Sequence, residues 1–218
     1  MSHSAQQALS KAEAILFDFD GIILDTEWPI YETWKNLFAR EGHPLPLEIY
    51  VKCIGSDFDS SWSPEKYLED LTGKTFNWDK ENADRQVEIV EAVGKLAPMP
   101  GVSNLLEKLG GHKKAVVSSS SHHWVDGWLD KLELTPHFDT IVCRGDAPKI
   151  KPAPDLYLEA AKRLNVTPSA CLVIEDSYNG MIAAHAAKIP VIAVPNRLTS
   201  NIDFSQAEYT ISSLEGLT

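Results

Sequence analysis

Short runs of apolar, largely β-branched residues alternate with helical patterns along most of the chain. Such alternation indicates a parallel sheet with helices on both faces, because parallel strands must be joined by long crossover connections. Predicted strands lie at residues 14–19, 115–117, 140–143, 172–174 and 190–194. We therefore predict an α/β fold with a Rossmann-like, doubly wound parallel sheet whose ligand site lies at the carboxyl ends of the strands.

The alternation stops between residues 28 and 96, where helical runs occur without a strong strand. These runs lie at residues 30–40, 47–53, 64–71 and 80–93. Proline and glycine in Pro98-Met99-Pro100-Gly101 mark the return to the alternating pattern. We predict a core domain over residues 1–27 and 97–218 and an inserted helical domain over residues 28–96.

Two aspartates, Asp18 and Asp20, follow the first predicted strand and precede Gly21. Where a strand gives way to a turn that glycine permits, two acids spaced by one residue can converge on one ligand. Aspartate and glycine are also common in ordinary solvated turns, so the pair alone does not decide the function. In the phosphoryl-transfer interpretation, Asp18 attacks phosphorus and Asp20 transfers protons.

Hydroxyl groups and a lysine follow two later strands. Ser118 and Ser119 begin a serine run whose hydroxyls and amides suit a phosphoryl oxygen, although serines here can equally cap the helix predicted near His122. Prolines stiffen the backbone around Lys151. A buried lysine needs an anionic partner, which Asp18 and a phosphate would supply.

Glu175 and Asp176 form a second acidic cluster at the end of a strand. Taken alone, the pair also fits the acidic first turn of a helix. Two acidic clusters in one site repel each other unless a cation lies between them. Carboxylate oxygens together with a substrate phosphate favour Mg²⁺, so we predict a magnesium site.

These motifs, in this order, resemble those of the haloacid dehalogenase-like (HAD) superfamily of hydrolases, in the branch of β-phosphoglucomutase, phosphoglycolate phosphatase and sugar-phosphate phosphatases. The resemblance covers nearly the whole chain. The motifs that carry it are residues 18–27, Ser118, Lys151-Pro152 and Glu175-Asp176. The resemblance implies Mg²⁺ held by Asp18, the backbone carbonyl of Asp20, Glu175 and Asp176.

The same resemblance assigns catalytic and substrate-binding roles. Asp18 would be the nucleophile that forms an aspartyl-phosphate, and Asp20 the acid and base. Ser118 and Lys151 would hold the transferring phosphoryl group, with Thr26 adding a hydroxyl near the site. The helical insertion would be a cap that closes over the site and selects the substrate. The expected activity is hydrolysis of a small phosphorylated metabolite, such as a sugar phosphate, by a phosphoric monoester hydrolase.

One position departs from the pattern of the mutases in this branch, which place a relay histidine in the cap. The corresponding spacing from Asp20 leads to Ile30, which cannot exchange protons. The departure favours hydrolysis over mutase activity, although His43 is another candidate relay. A mutase and a non-catalytic binding module on the same scaffold stay as alternatives; the presence of both acids argues against the latter.

The histidine pair His122-His123 is a poor metal-ligand set, because adjacent residues on a helix face different directions. We predict that the helix beginning there buries the apolar residues Trp124, Val125, Trp128 and Leu129 in the core.

Composition limits the partners. Twenty basic against 31 acidic residues give a net charge of −11 without a basic cluster, which argues against nucleic acids and anionic membranes. Cys53, Cys143 and Cys171 are widely spaced, which argues against a disulfide framework or zinc site. No apolar stretch is long enough to span a bilayer, so we expect a cytoplasmic protein, monomeric or homodimeric.

Overall fold

Six parallel strands form one sheet in the computed structural model, which describes residues 2–51 and 62–218. The strands are β1 (Ala14–Phe17), β2 (Lys113–Ser121), β3 (Thr140–Arg144), β4 (Cys171–Glu175), β5 (Val191–Ala193) and β6 (Tyr209–Thr210). Their order is β3-β2-β1-β4-β5-β6, and every neighbouring pair is parallel. The predicted α/β parallel-sheet fold is confirmed.

Apart from shifts of one or two residues at strand ends, two details of the sheet differ from the sequence prediction. β6 was not predicted, because a two-residue strand carries too little pattern to recognise. β2 continues through the serine run as far as Ser121, which pairs with Arg144 of β3 after a register shift. Ser118 therefore extends a strand and does not begin a helix.

Helices occupy both units of the chain. They are α1 (Ser2–Lys11), α2 (Glu27–Arg40), α3 (Leu47–Tyr50), α4 (Pro64–Thr72), α5 (Trp78–Val93), α6 (Val102–Lys108), α7 (His122–Lys131), α8 (Asp155–Arg163) and α9 (Tyr178–Ala186). α1 was not predicted, because its segment is mostly polar; it buries Ala5 and Leu9, one turn apart. Within the described ranges, no helix combines the length and the apolar character needed to cross a membrane.

The chain divides into two compact units. Unit 1 comprises Met1–Leu24 and Ala97–Thr218, and unit 2 comprises Asp25–Leu96. The described part of unit 2 contains helices α2 to α5 and no strand. Cys53 and the end of the helical run predicted at 47–53 lie outside the described residues. The role of unit 2 as a cap stays a prediction.

Aromatic rings pack together inside unit 2. The rings of Trp34 and Trp78 lie 6.1 Å apart, and the guanidinium of Arg85 lies 3.4 Å from the centre of the Trp34 ring. The Trp78 indole N–H donates a hydrogen bond of 2.9 Å to Glu69. These side chains therefore have a structural role within the helical unit.

The core of unit 1 places the end of β1 at the centre of the sheet. All four residues of β1 are buried, as expected for a parallel strand covered on both faces. One face packs β1, β2, β4 and β5 against Leu156 and Tyr157 of α8 and Met181 of α9. The chain runs from β1 outward to β3 and then returns to β4 on the other side of β1. Ligands bind at such a reversal of strand order in open α/β sheets.

Candidate functional site

Asp18 follows β1 directly at this reversal point. Its backbone N–H donates to the Ile174 carbonyl of β4 at 3.0 Å, so the pairing of the two strands continues into the site. The carboxylate is buried, and its Oδ1 lies 2.5 Å from the Nζ of Lys151. Burial and the neighbouring Glu175 raise the pKa of Asp18 well above its ordinary value, despite the opposing effect of Lys151. The site therefore holds more negative charge than one lysine offsets.

Lys151 joins three elements of unit 1. Its Nζ donates to Asp18, to Glu175 Oε1 at 2.6 Å and to the Val117 carbonyl of β2 at 2.9 Å. Burial lowers the pKa of Lys151, but the attraction of Asp18 and Glu175 outweighs burial and raises it well above its ordinary value. The group is therefore a fixed ammonium cation directed at Asp18.

Glu175, at the end of β4, has both carboxylate oxygens engaged. Oε1 accepts from Lys151 and from the Tyr157 hydroxyl at 3.1 Å. Oε2 accepts from the Asp176 and Ser177 amides and from Ser177 Oγ, each at 2.9 Å. Gly180 makes room for this carboxylate, since a Cβ there would lie 1.7 Å from Oε1. Glu175 thus anchors Lys151 and the start of the segment that leads into α9.

Asp176 completes an acidic cluster with Asp18 and Glu175. One oxygen from each of the three buried carboxylates lies within 4.8 Å of the others. Asp176 Oδ2 accepts a 2.6 Å hydrogen bond from Asn196 Nδ2 in the segment after β5. Three hard oxygen donors in an excess of negative charge fit Mg²⁺.

Gly21 allows the turn after β1 to approach this cluster. Its φ is +86°, and a Cβ would lie 2.3 Å from Asp176 Oδ2 and 2.6 Å from Asn196 Nδ2. For the predicted Mg²⁺ site, we expect Gly21→Ala to weaken Mg²⁺ binding at least about 10-fold, because Asp176, a predicted ligand, must move to make room for the new Cβ. Isothermal titration calorimetry with Mg²⁺ measures the effect.

Gly42→Ala is the matched control for this substitution. Gly42 has a similar φ of +81°, but a Cβ there meets nothing within 4 Å. Both variants carry the backbone strain of a left-handed alanine, about 1 kcal/mol. Equal Mg²⁺ affinity in the two variants would show that the space which Gly21 leaves for Asp176 does not matter for metal binding.

Three side chains, at the end of β2 and the start of α7, donate hydrogen bonds to the Asp20 carboxylate. Its Oδ2 accepts from Ser118 Oγ at 3.1 Å and from Ser120 Oγ at 2.8 Å. Its Oδ1 accepts from the indole N–H of Trp124 at 3.0 Å. The Ser118 hydroxyl was predicted to bind a phosphoryl oxygen or to cap a helix, and in the structure it donates to Asp20. The residue that precedes α7 is Ser121, whose side chain makes no capping hydrogen bond.

Of the residues that contact Asp20, Ser120 was not predicted as part of the site, and Trp124 was assigned to the core. Alternate residues of an extended strand face the same side, so the spacing of Ser118 and Ser120 could have identified Ser120. The prediction that Trp124 belongs to the core was wrong, whereas Val125 is buried as predicted. Trp124 is only half-buried, and its one polar atom points at Asp20. Helical spacing identifies the apolar ring but not the partner of its N–H.

Ser119 and Thr26 were also predicted to bind the substrate. Ser119 Oγ is buried without a hydrogen-bond partner among the described residues, and the Ser119 carbonyl accepts from Arg144 Nε at 2.9 Å. Thr26 belongs to unit 2, where it immediately precedes α2 without a side-chain cap bond. Their substrate-binding roles stay predictions.

Comparison with known proteins relates this site to a family. The family model described as haloacid dehalogenase-like hydrolase matches residues 15–194. The "Putative phosphatase YhcW" of Bacillus subtilis is 37% identical over 204 residues, covering 93% of this chain and 92% of the relative. The "Fructose-1-phosphate phosphatase YqaB" of Escherichia coli is 28% identical over 182 residues, covering 83% of this chain and 95% of that relative.

A solved structure shares the fold over nearly its whole length. The "putative beta-phosphoglucomutase from Thermotoga maritima" matches with a TM-score of 0.76 and 26% identity, covering 94% of this chain and 96% of that one. The family match spans most of the chain and includes Asp18 and Glu175 at the ends of β1 and β4 and Lys151 in the loop before α8. This chain therefore belongs to the haloacid dehalogenase-like hydrolase family.

Proposed function

We propose that this hydrolase is a Mg²⁺-dependent phosphatase that cleaves a small phosphorylated metabolite, a sugar phosphate or similar monoester, through an aspartyl-phosphate. The observation that carries the proposal is the buried Asp18 carboxylate at the point where the strand order of the sheet reverses. Asp18 Oδ1 lies 2.5 Å from the Nζ of Lys151, and Asp20 follows two residues later in the chain. Relatives named as phosphatases, one of them for fructose 1-phosphate, support the substrate class.

The metal would be held by Asp18, the backbone carbonyl of Asp20 and Asp176. When bound, Mg²⁺ supplies positive charge that stabilises the charge on the phosphoryl oxygens. Both oxygens of Glu175 already accept hydrogen bonds, so we propose that Glu175 acts chiefly by positioning Lys151.

The chain's own residues then perform two displacements at phosphorus. An Asp18 oxygen forms a bond to phosphorus while the bond to the leaving oxygen breaks, and Asp20 gives its proton to the departing alkoxide. Water then attacks the phosphorus of the aspartyl-phosphate and transfers a proton to Asp20, which releases inorganic phosphate and restores the Asp18 carboxylate. Lys151 and Ser118 bind the phosphoryl oxygens during both steps.

A phosphosugar mutase is the second candidate, favoured by the likeness to the protein named as a β-phosphoglucomutase. Ile30, one turn into α2, argues against it, since an alkyl side chain cannot relay a proton to a sugar hydroxyl. His43, the other candidate relay, follows α2 in a loop. A mutase would convert a sugar 1-phosphate to its isomer, whereas a phosphatase would release phosphate.

The test is phosphate release from a panel of sugar phosphates, phosphoglycolate and nucleotides, with Mg²⁺ or with EDTA, while sugar-phosphate isomers are followed by NMR. We expect phosphate release that EDTA abolishes and Mg²⁺ restores, because buried carboxylates alone cannot neutralise a phosphoryl group. Isomer formation without phosphate release would favour the mutase. Release that is unaffected by EDTA would contradict the metal assignment.

A further inference from the structure

Trp124 donates a hydrogen bond to Asp20 but has no role in the proposed reaction. It lies in the first turn of α7, directly after β2, and its Nε1 is 3.0 Å from Asp20 Oδ1. Its ring packs edge-to-face on Trp128, one turn further along, with ring centres 5.5 Å apart. The indole is half-buried, so its N–H reaches Asp20 from a packed position.

The donors on the two oxygens of Asp20 differ in chemistry. Oδ2 accepts from the Ser118 and Ser120 hydroxyls, each of which can rotate and also accept a hydrogen bond. Oδ1 accepts from an indole N–H, which can only donate. A proton bound to Oδ1 would be repelled by the hydrogen of the indole N–H. A proton bound to Oδ2 could instead donate a hydrogen bond to a lone pair of a serine hydroxyl.

The start of α7, and with it Trp124, is tied to neighbouring elements. His122 Nε2 lies 2.7 Å from Asp146 Oδ2, and its Nδ1 lies 3.1 Å from an Asp126 oxygen. Asp146 in turn pairs with Arg163 of α8 at 2.9 Å and accepts from the Cys143 amide of β3 at 2.9 Å. A side chain supported in this way keeps its direction, as an effective positioning group must.

We propose that Trp124 is a positioning residue for Asp20: its indole N–H keeps Oδ1 as an acceptor, so that the proton exchanged with the leaving group and with water is carried by Oδ2. This inference rests on the proposed function, in which Asp20 is the acid and base. The proton leaves Oδ2 for the departing alkoxide in the first displacement and returns to Oδ2 from water in the second, so no further reactant is needed.

The test compares two substrates that differ in their need for an acid. The kcat/KM of a phosphatase with a covalent intermediate reports the first displacement, in which an alkyl leaving group needs a proton and p-nitrophenolate does not. For Trp124→Phe we expect kcat/KM to fall about 10- to 100-fold with an alkyl phosphate, the usual contribution of a hydrogen bond to a charged group. With p-nitrophenyl phosphate we expect a change under about threefold.

Trp128→Phe is the matched control. It removes an indole N–H from the same helix, and phenylalanine retains the aromatic packing at that position. We expect this variant to have the wild-type kcat/KM for both substrates. If Trp124→Phe lowers both values equally, or lowers neither, Trp124 has only a packing role and the inference is overturned.

A second measurement does not need turnover. Indole ¹⁵N–¹H spectra of the full-length protein show the Trp124 resonance, identified by its loss in Trp124→Phe. We expect Asp20→Ala to shift this resonance and to leave the Trp128 resonance unchanged, whereas an unmoved Trp124 resonance would overturn the contact. Absence of phosphate release from the wild type would count against the proposed function, and the spectra would still decide the contact.

Discussion

Asp18→Asn is expected to lower phosphate release by about 10⁴-fold or more, the scale on which loss of an essential nucleophile acts. An amide has nearly the shape of a carboxylate but cannot form the acyl-phosphate bond. Lys151 keeps the Glu175 carboxylate as a partner at 2.6 Å, so the fold should survive the loss of one charge. Phosphate release and a circular-dichroism melting curve measure the two effects.

Asp203→Asn provides the control for this substitution, because Asp203 is an exposed carboxylate in a loop outside the acidic cluster. It should release phosphate at the wild-type rate. Mass spectrometry of rapidly quenched wild-type protein should detect a phosphoryl adduct that Asp18→Asn lacks. Retained turnover in Asp18→Asn would show that another group attacks phosphorus.

Lys151→Met is expected to lower the free energy of unfolding by about 3–5 kcal/mol, the usual cost of removing one partner from a buried ion pair. Lys151 is 4% exposed and is hydrogen-bonded to both Asp18 and Glu175, which are also buried. Methionine fills a similar volume but leaves two carboxylates without their cation. Urea unfolding measures the loss, and phosphate release should be abolished as well.

The control is Lys149→Met, since Lys149 is exposed two residues away in the same loop. That change should stay within about 0.5 kcal/mol, as surface substitutions usually do. Mg²⁺ should restore part of the stability of Lys151→Met, because an ion that binds only the folded state stabilises it. Adding Glu175→Gln should also recover stability by removing one unpaired charge. Equal losses for both lysine variants would argue against the buried ion-pair network.

The first five strands and the charged cluster could be predicted from local patterns along the sequence. A buried parallel strand must be a nearly continuous apolar run, and its carboxyl end is where polar residues return, so Asp18 and Glu175 could be placed at strand ends. Lys151 could be paired with an acid because a buried ammonium requires one. The exact extent of β2 could not be predicted, because the serine run resembles a helix cap until its pairing with β3 is known.

Other features depend on atoms that only folding brings together. Trp124 was expected in the core because its helical spacing is that of a packed side chain, yet its indole N–H donates a hydrogen bond to Asp20. Asn196 and Gly21 reach Asp176 from segments far apart in the chain. Periodicity and motif order therefore specify the fold and its acidic strand ends, because both arise from local burial. Which oxygen meets which donor was decided by tertiary packing, since hydrogen bonds act over about 3 Å and no pattern along the chain encodes distances of that scale.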